Sequence, residues 1–413
     1  MYQQRNSFRS GSRGRHNRSN SNRSFGRNRS GRGRFQPKQL DPRLFIKPAD
    51  AVQNEVAPVT SSFSDFKLPK QLVSNLSSMG FDTPTPIQDQ ALAPILNGHD
   101  LIGLADTGTG KTIAFVLPIL AKLIKDSTQN ALIIAPTREL AVQIKDDIRT
   151  LSNGLPIKTV LLIGGTGIYR QIQELKRNPH IFIGTPGRLK DLHERGSLNL
   201  NNTHTIVLDE MDRMLDMGFV KDITKLLSFL PKERQTLLFS ATIDDRVEGI
   251  AHTFMNNPLK ISVKTGATAQ NVDQDVVRFS GSDKISVLKE LLKQQRFQKV
   301  LIFGRTKYGV EKLSVTLSQN GFSVGAIHGN KRQSQRQRVL TDFKTNRINI
   351  LVATDVAARG IDVKDITHVI NYDQPDTYAD YIHRIGRTGR AGKTGRALTF
   401  VDIADGRGWL SKS

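Results

Sequence analysis

The chain has 413 residues, of which 24% are charged, a formal net charge of +22 and no cysteine. That length exceeds one ordinary core and suits two domains with a tail. The missing cysteine excludes disulfides, thiolate zinc sites, iron–sulfur clusters and a cysteine nucleophile, and no apolar run approaches the roughly 18 residues of a membrane span, so a soluble protein without a membrane partner is expected.

Residues 1–40 carry ten arginines, Lys38 and no acid, which is half of the net charge in a tenth of the chain. Residues 1–35 contain no Ala, Leu, Ile or Val; after Met1 they are polar residues and Gly punctuated by Tyr2, Phe8, Phe25 and Phe35. So little apolar surface cannot offset the entropy of ordering, and a disordered basic arm is expected. Its charge points to a polyanion, RNA or DNA, with a solubility tail as the plain alternative. The arm has no apolar face for a transit-peptide helix and no secretory core. Residues 36–61 continue it loosely, with Pro37, Pro42, Pro48 and Pro58 breaking any regular element.

From Phe63 onward short apolar runs alternate with amphipathic stretches. The runs lie at 101–105, 131–135, 159–163, 181–184, 205–209 and 236–240, then at 275–279, 300–303, 324–327, 350–353, 368–371 and 397–401. Nearly continuous apolar runs are what strands buried on both faces of a parallel sheet require, with helices as crossovers. The polar stretch 264–273 reads as a linker. The fold class is therefore α/β, with two tandem parallel-sheet domains at 62–263 and 274–413 behind a basic arm at 1–61. Ligands of such sheets sit beyond the carboxyl ends of the strands, and a cleft between two lobes is the natural site.

One phosphate motif stands out. Residues 105–112 read ADTGTGKT between an expected strand and an expected helix. Ala105, Asp106, Thr107, Gly108, Thr109 and Gly110 form a small-residue loop whose N–H groups can wrap a phosphate at a helix N-terminus. Lys111 would reach the β- and γ-phosphates and the Thr112 hydroxyl would ligate Mg²⁺. About a hundred residues on, TIVLDEMD (205–212) ends a strand in two adjacent carboxylates. Asp209 suits the Mg²⁺ shell and Glu210 suits orientation or deprotonation of an attacking water.

With these two motifs in place the chain resembles the DEAD-box RNA helicases over 63–402. Phe63 with GFDTPTPIQ (80–88) resembles the Q motif and ADTGTGKT motif I. PTREL (136–140), Gly164–Gly165 and TPGR (185–188) resemble the RNA contacts of the first lobe, DEMD is motif II and SAT (240–242) motif III. In the second lobe LIFGRTK (301–307) resembles motif IV, Gln333 with Arg336 the Q-x-x-R element, ATDVAARGID (353–362) motif V and HRIGRTGR (383–390) motif VI. The resemblance implies two RecA-like lobes, ATP and Mg²⁺ as cofactors, and RNA as a partner held by its backbone without reading of sequence.

The resemblance also implies roles. Gln88 and Phe63 read adenine by amide pairing and ring stacking. Asp362 contacts ribose. Arg387 and Arg390, three apart on one face of a helical turn, reach the γ-phosphate as arginine fingers. Asp212, Ser240 and Thr242 couple the ATP site to RNA. Thr137, Arg138, Gly165, Thr185, Gly187, Arg188, Arg305, Gln333, Arg336 and Thr354 line the RNA track, where 2′-hydroxyls favour RNA over DNA. The implied mechanism is closure of the lobes on ATP and RNA, local separation of strands and reopening after hydrolysis; a monomeric core in the cytoplasm, or in the nucleus of a eukaryote, is expected.

The sequence departs from the family at Met211, where the family has Ala. The bulkier side chain either fills a gap or weakens the coupling beside it. The chain also ends at Ser413, soon after motif VI, so either the second lobe is minimal or the chain is a piece of a longer one. An ATP-gated RNA clamp that unwinds little is the competing class. A DNA helicase fits the phosphate loop but not the Q motif or the PTREL, TPGR and HRIGRTGR set.

Overall fold

The structure is a computed structural model that describes residues 40–49, 59, 61–106, 108–263, 271–358, 363, 365–390 and 393–403. The basic arm expected before residue 40 lies outside the described residues. Seven strands build the first lobe: β1 (Leu101–Ala105), β2 (Asn130–Ile134), β3 (Thr159–Leu162), β4 (Ile181–Gly184), β5 (Thr203–Leu208), β6 (Gln235–Ser240) and β7 (Leu259–Val263). They pair in the order β3-β4-β2-β5-β6-β1-β7, every pair parallel. Six more build the second: β8 (Val272–Phe279), β9 (Val300–Phe303), β10 (Val324–Ile327), β11 (Ile350–Ala353), β12 (His368–Asn371) and β13 (Gly395–Asp402). Their order is β10-β11-β9-β12-β13-β8, again all parallel.

Parallel strands need crossovers, and helices cover both faces of each sheet. Successive residues of a strand point to opposite faces, and the cores divide accordingly. Leu101 and Ala105 of β1 enter one apolar cluster, while Ile102 and Leu104 enter the other. Val300 and Ile302 of β9 part in the same way from Leu301 and Phe303. No helix among the described residues is long and apolar enough to cross a membrane.

All twelve expected strands are present, and β7 is the one not foreseen. Residues 36–61 also depart from expectation. Pro42–Phe45 forms a 3-10 helix, because a proline at the first helical position has its φ already set and gives up an N–H that would have no partner there. Asp41 caps it by accepting the Arg43 N–H at 2.9 Å. Two residues later Lys47 bridges antiparallel to Gln274 of β8, so this stretch does contain regular elements.

Candidate functional site

β1 ends at Ala105, and the chain turns through the small-residue loop into the helix Lys111–Lys125. Gly108 and Gly110 take left-handed backbone angles, φ +88° and +95°. A Cβ on Gly110 would run into the Gln88 amide and stand 2.8 Å from Thr85 Oγ1, so only glycine fits. Lys111 is buried and donates from Nζ to the Ala105 carbonyl at 2.7 Å, lying across its own loop. Thr109 Oγ1 donates to the Asp106 carbonyl at 2.8 Å, and Thr112 sits half-buried in the first turn of the helix. Thr107 and Asp362 lie outside the described residues.

Gln88, at the third position of the helix Pro86–Leu96, is tied to the phosphate loop. Its Oε1 accepts the Thr85 N–H at 2.9 Å, and its Nε2 donates to the Gly110 carbonyl at 3.0 Å. An amide holds two donors and two lone pairs, so each group keeps capacity for one further bond. Phe63 is 3% exposed and belongs to the core of the first lobe, so most of its ring packs against protein.

Beyond β5 stand Asp209 and Glu210, both buried. Glu210 adopts φ 51°, ψ 53°, a left-handed conformation that costs a non-glycine residue roughly 1–2 kcal/mol. Arg213 Nη1 donates to Glu210 Oε2 at 2.6 Å, and both side chains are almost fully enclosed. Burial pushes the Asp209 carboxyl above the ordinary range, and neighbouring Glu210 adds to the rise against the pull of Lys111. Burial presses Glu210 upward too, but Arg213, Lys111 and Arg387 outweigh it and leave that carboxyl below its ordinary value. The adjacent carboxylates are thus pushed apart, because Glu210 gains more from the surrounding cations, Arg387 and its direct bond from Arg213 included, than Asp209 does.

Asp212, Ser240 and Thr242 do meet. Asp212 Oδ2 accepts from the Ala241 N–H (3.2 Å), the Thr242 N–H (3.1 Å) and Thr242 Oγ1 (3.1 Å). Its own N–H donates to Ser240 Oγ at 3.3 Å. Met211 is fully buried in the core that contains Leu208, Met214 and Leu238, and these bonds form beside it.

The second lobe contributes at the same place. Arg387 is 3% exposed, and its charge is one of the three that hold Glu210 down. Arg390 donates from Nε to the Gly386 carbonyl at 2.9 Å, and its Cδ lies 3.8 Å from where a Cβ on Gly108 would stand. Arg384 of the same motif grips Asp355 with two bonds, 2.6 and 2.7 Å, and donates to the Asp373 carbonyl at 2.7 Å.

A cavity of about 460 Å³ is lined from the first lobe by Thr137, Arg138, Thr185, Gly187 and Arg188 and from the second by Arg336. Gly165 adjoins it with φ +75°, and a Cβ there would collide with the Arg138 guanidinium. Glu139 joins the lobes: its Oε2 lies 2.8 Å from Arg336 Nη2, and its Oε1 accepts from Gln333 Nε2 at 3.1 Å. Arg305 and Thr354 do not line this cavity. Arg305 is half in solvent, with its guanidinium 3.3 Å from Asp376 and donating to the Gln374 carbonyl at 3.2 Å, because Asp373 holds its backbone N–H at 2.8 Å.

Sequence reasoning named Glu139, Asp355 and Arg384 only as letters of their motifs, without a role of their own, and passed over Arg213. Arg213 stands three residues after Glu210, a spacing that pairs side chains on a helix and was a readable signal. Glu139 in the first turn of a helix has an ordinary explanation in the helix dipole, which hid its partner in the other lobe.

Two family models match the chain, DEAD/DEAH box helicase over residues 85–250 and Helicase conserved C-terminal domain over residues 283–392. The ATP-dependent RNA helicase CshA of Listeria monocytogenes is 47% identical over 343 residues, 83% of this chain and 66% of that protein. The DEAD-box ATP-dependent RNA helicase CshA of Geobacillus kaustophilus is 46% identical over 83% of this chain and 73% of its own length. Among solved structures, S. cerevisiae Dbp5 bound to RNA and ADP BeF3 superimposes with a TM-score of 0.74 at 32% identity, covering 83% of this chain and 90% of that one. A DEAD box protein from Methanococcus jannaschii reaches a TM-score of 0.50 at 40% identity, covering 83% and 93%. The chain belongs to the DEAD-box ATP-dependent RNA helicases.

Proposed function

We propose that the protein hydrolyses ATP in response to RNA and uses closure of its two lobes, 62–263 and 274–413, to separate RNA strands locally or to remodel RNA–protein complexes. One observation carries this reading: groups from both lobes converge on one cleft. Arg387 acts on the charge of Glu210, the Arg390 side chain approaches the phosphate loop at Gly108, and Arg336 pairs with Glu139. A site completed only by the second lobe ties hydrolysis to closure. The superposition on Dbp5 bound to RNA and ADP BeF3, with a TM-score of 0.74, supports this arrangement.

In this reading Lys111 and the loop N–H groups bind the phosphates, Gln88 and Phe63 border the adenine, and Asp362 meets the ribose. Glu210 orients the attacking water, and Arg387 and Arg390 face the charge that grows in the transition state. The oxygen donors present, the Asp209 carboxylate and the Thr112 hydroxyl, fit Mg²⁺, a hard cation commonly held by one carboxylate, a hydroxyl and substrate phosphates. When bound it would neutralise phosphate charge. The cavity beside Arg138 takes RNA by its backbone, without preference for sequence. The protein works in the cytoplasm with a monomeric core. The clamp reading loses ground because, with Met211 buried in the core, Asp212 keeps its bonds to Ser240 and Thr242.

Substitution of the fingers tests the assignment. Arg387→Ala and Arg390→Ala should each slow hydrolysis by a large factor, on the order of 10³ for residues of this kind, with ATP binding nearly unchanged. Normal turnover with a raised KM would remove them from the transition state.

A further inference from the structure

Residues 41–47 precede the first lobe in sequence but pack on the second. Phe45 is completely buried, its ring centroid 4.7 Å from that of Tyr381, in a cluster with Val272, Ile385 and Ala397. Lys47 exchanges two backbone hydrogen bonds with Gln274, 3.0 and 2.8 Å, on the open edge of β8. The Gln274 side chain in turn accepts the Tyr381 hydroxyl at 3.0 Å.

What this segment touches leads to the catalytic arginines. Tyr381 and Ile385 lie on the helix Tyr378–Ile385, which runs straight into Gly386, Arg387, Gly389 and Arg390. Two glycines make that turn pliable unless packing restrains it. Gly389 has φ +65°, and a Cβ placed on it would stand 2.9 Å from Val272 Cγ2. Phe45, Val272 and the motif VI turn therefore form one packed column.

We propose that residues 41–47 are a strap that holds Arg387 and Arg390 in position, with Phe45 as its anchor. Phe45 is a positioning residue, since it acts through Tyr381, Ile385 and Val272 and touches no reacting group. The inference rests on the reading of Arg387 and Arg390 as fingers on the γ-phosphate. The strap is not a lock on the cleft. The 14 residues from 48 to 61 that lead on to the first lobe have a contour length of up to about 50 Å, enough to leave the lobes free to part.

Two deletions and one substitution test it in the full-length background, at saturating RNA and with ATP varied. Removing residues 1–38 should weaken RNA binding and leave kcat within about twofold, because that charge acts by tethering. Removing residues 1–47, or replacing Phe45 in Phe45→Ala, should lower kcat by about tenfold with KM for ATP nearly constant, the signature of misplaced catalytic groups. Phe45→Leu should recover most of the loss, and a peptide of residues 39–49 added at high concentration should restore turnover to the longer deletion. Equal kcat for the two deletions would overturn the proposal, and so would a loss that the peptide cannot restore, which would make the strap only a part of the second lobe's fold. Arg387→Ala, measured alongside, separates the two levels. If it is slow while the longer deletion is normal, the strap fails alone. If Arg387→Ala turns over normally, the finger reading fails instead.

Discussion

The guanidinium of Arg336, on the second lobe, stands 2.8 Å from the carboxylate of Glu139, on the first, with both side chains almost fully enclosed. A contact of this kind exists only when the lobes are together, so its energy enters the equilibrium between open and closed states. A double-mutant cycle with Glu139→Ala and Arg336→Ala, read as RNA affinity in the presence of a non-hydrolysable ATP analogue, should give a coupling energy of about 1–3 kcal/mol. Strict additivity of the two losses would show that the pair does not stabilise closure.

The enclosed Arg213–Glu210 pair leads to a stability prediction. Removing one partner of a buried pair leaves an uncompensated charge, at a cost of roughly 3–5 kcal/mol. Arg213→Gln should lower the melting temperature of the first lobe and reduce kcat, and adding Glu210→Gln to it should return much of the lost stability while abolishing turnover. Thermal melts of the three variants decide this. A single Arg213→Gln as stable as the parent contradicts the account.

Met211 fills core volume and leaves Asp212 bonded to Thr242 and Ser240. Met211→Ala should therefore act as a cavity substitution and destabilise the first lobe by about 2–4 kcal/mol. At a temperature where the variant stays folded, strands separated per ATP consumed should match the parent. A changed ratio would place Met211 in the coupling path after all.

Much of this was legible in the residues. Twelve strands announced themselves by short runs rich in apolar residues, and in the central strands β1, β4, β9, β11 and β12 every residue is buried. β7 did not, since Lys260 and Ser262, exposed on an edge strand, interrupt its apolar run. The strap was missed for a different reason: Pro42 and Pro48 were read as breakers, although proline at a first helical position favours the turn it opens. Lys111, Asp209 and Glu210 stand where their motifs led one to expect them, Lys111 opening the helix after β1 and the two carboxylates following β5. The partner of Glu139 was not readable, because Arg336 lies nearly two hundred residues away and each residue has a sufficient local explanation. Arg305 is a motif residue whose local partners, Asp373 and Asp376, the sequence did not announce.

His368 gives a pH dependence. The ring is enclosed on β12 and stacked on Phe297 at 4.0 Å. Burial lowers its pKa to about 4, with Arg396 and Arg296 pushing the same way. The unfolded chain then binds the extra proton first, so stability is complete above about pH 6.5, falls as the pH drops toward 4 and levels below it. With allowance for solvent screening the loss should be about 1–2 kcal/mol. Denaturant midpoints between pH 4 and 7 should decline less for His368→Phe than for the parent, and parallel curves would show that His368 does not titrate in this range.

Steady-state ATP hydrolysis by the intact chain, with and without saturating single-stranded RNA, tests the central claim most directly. If the cleft is completed by the second lobe only on closure around RNA, turnover should rise by at least about tenfold when RNA is added, and Glu210→Gln should abolish the rise while the protein still binds RNA and ATP together. Equal rates with and without RNA would contradict the account.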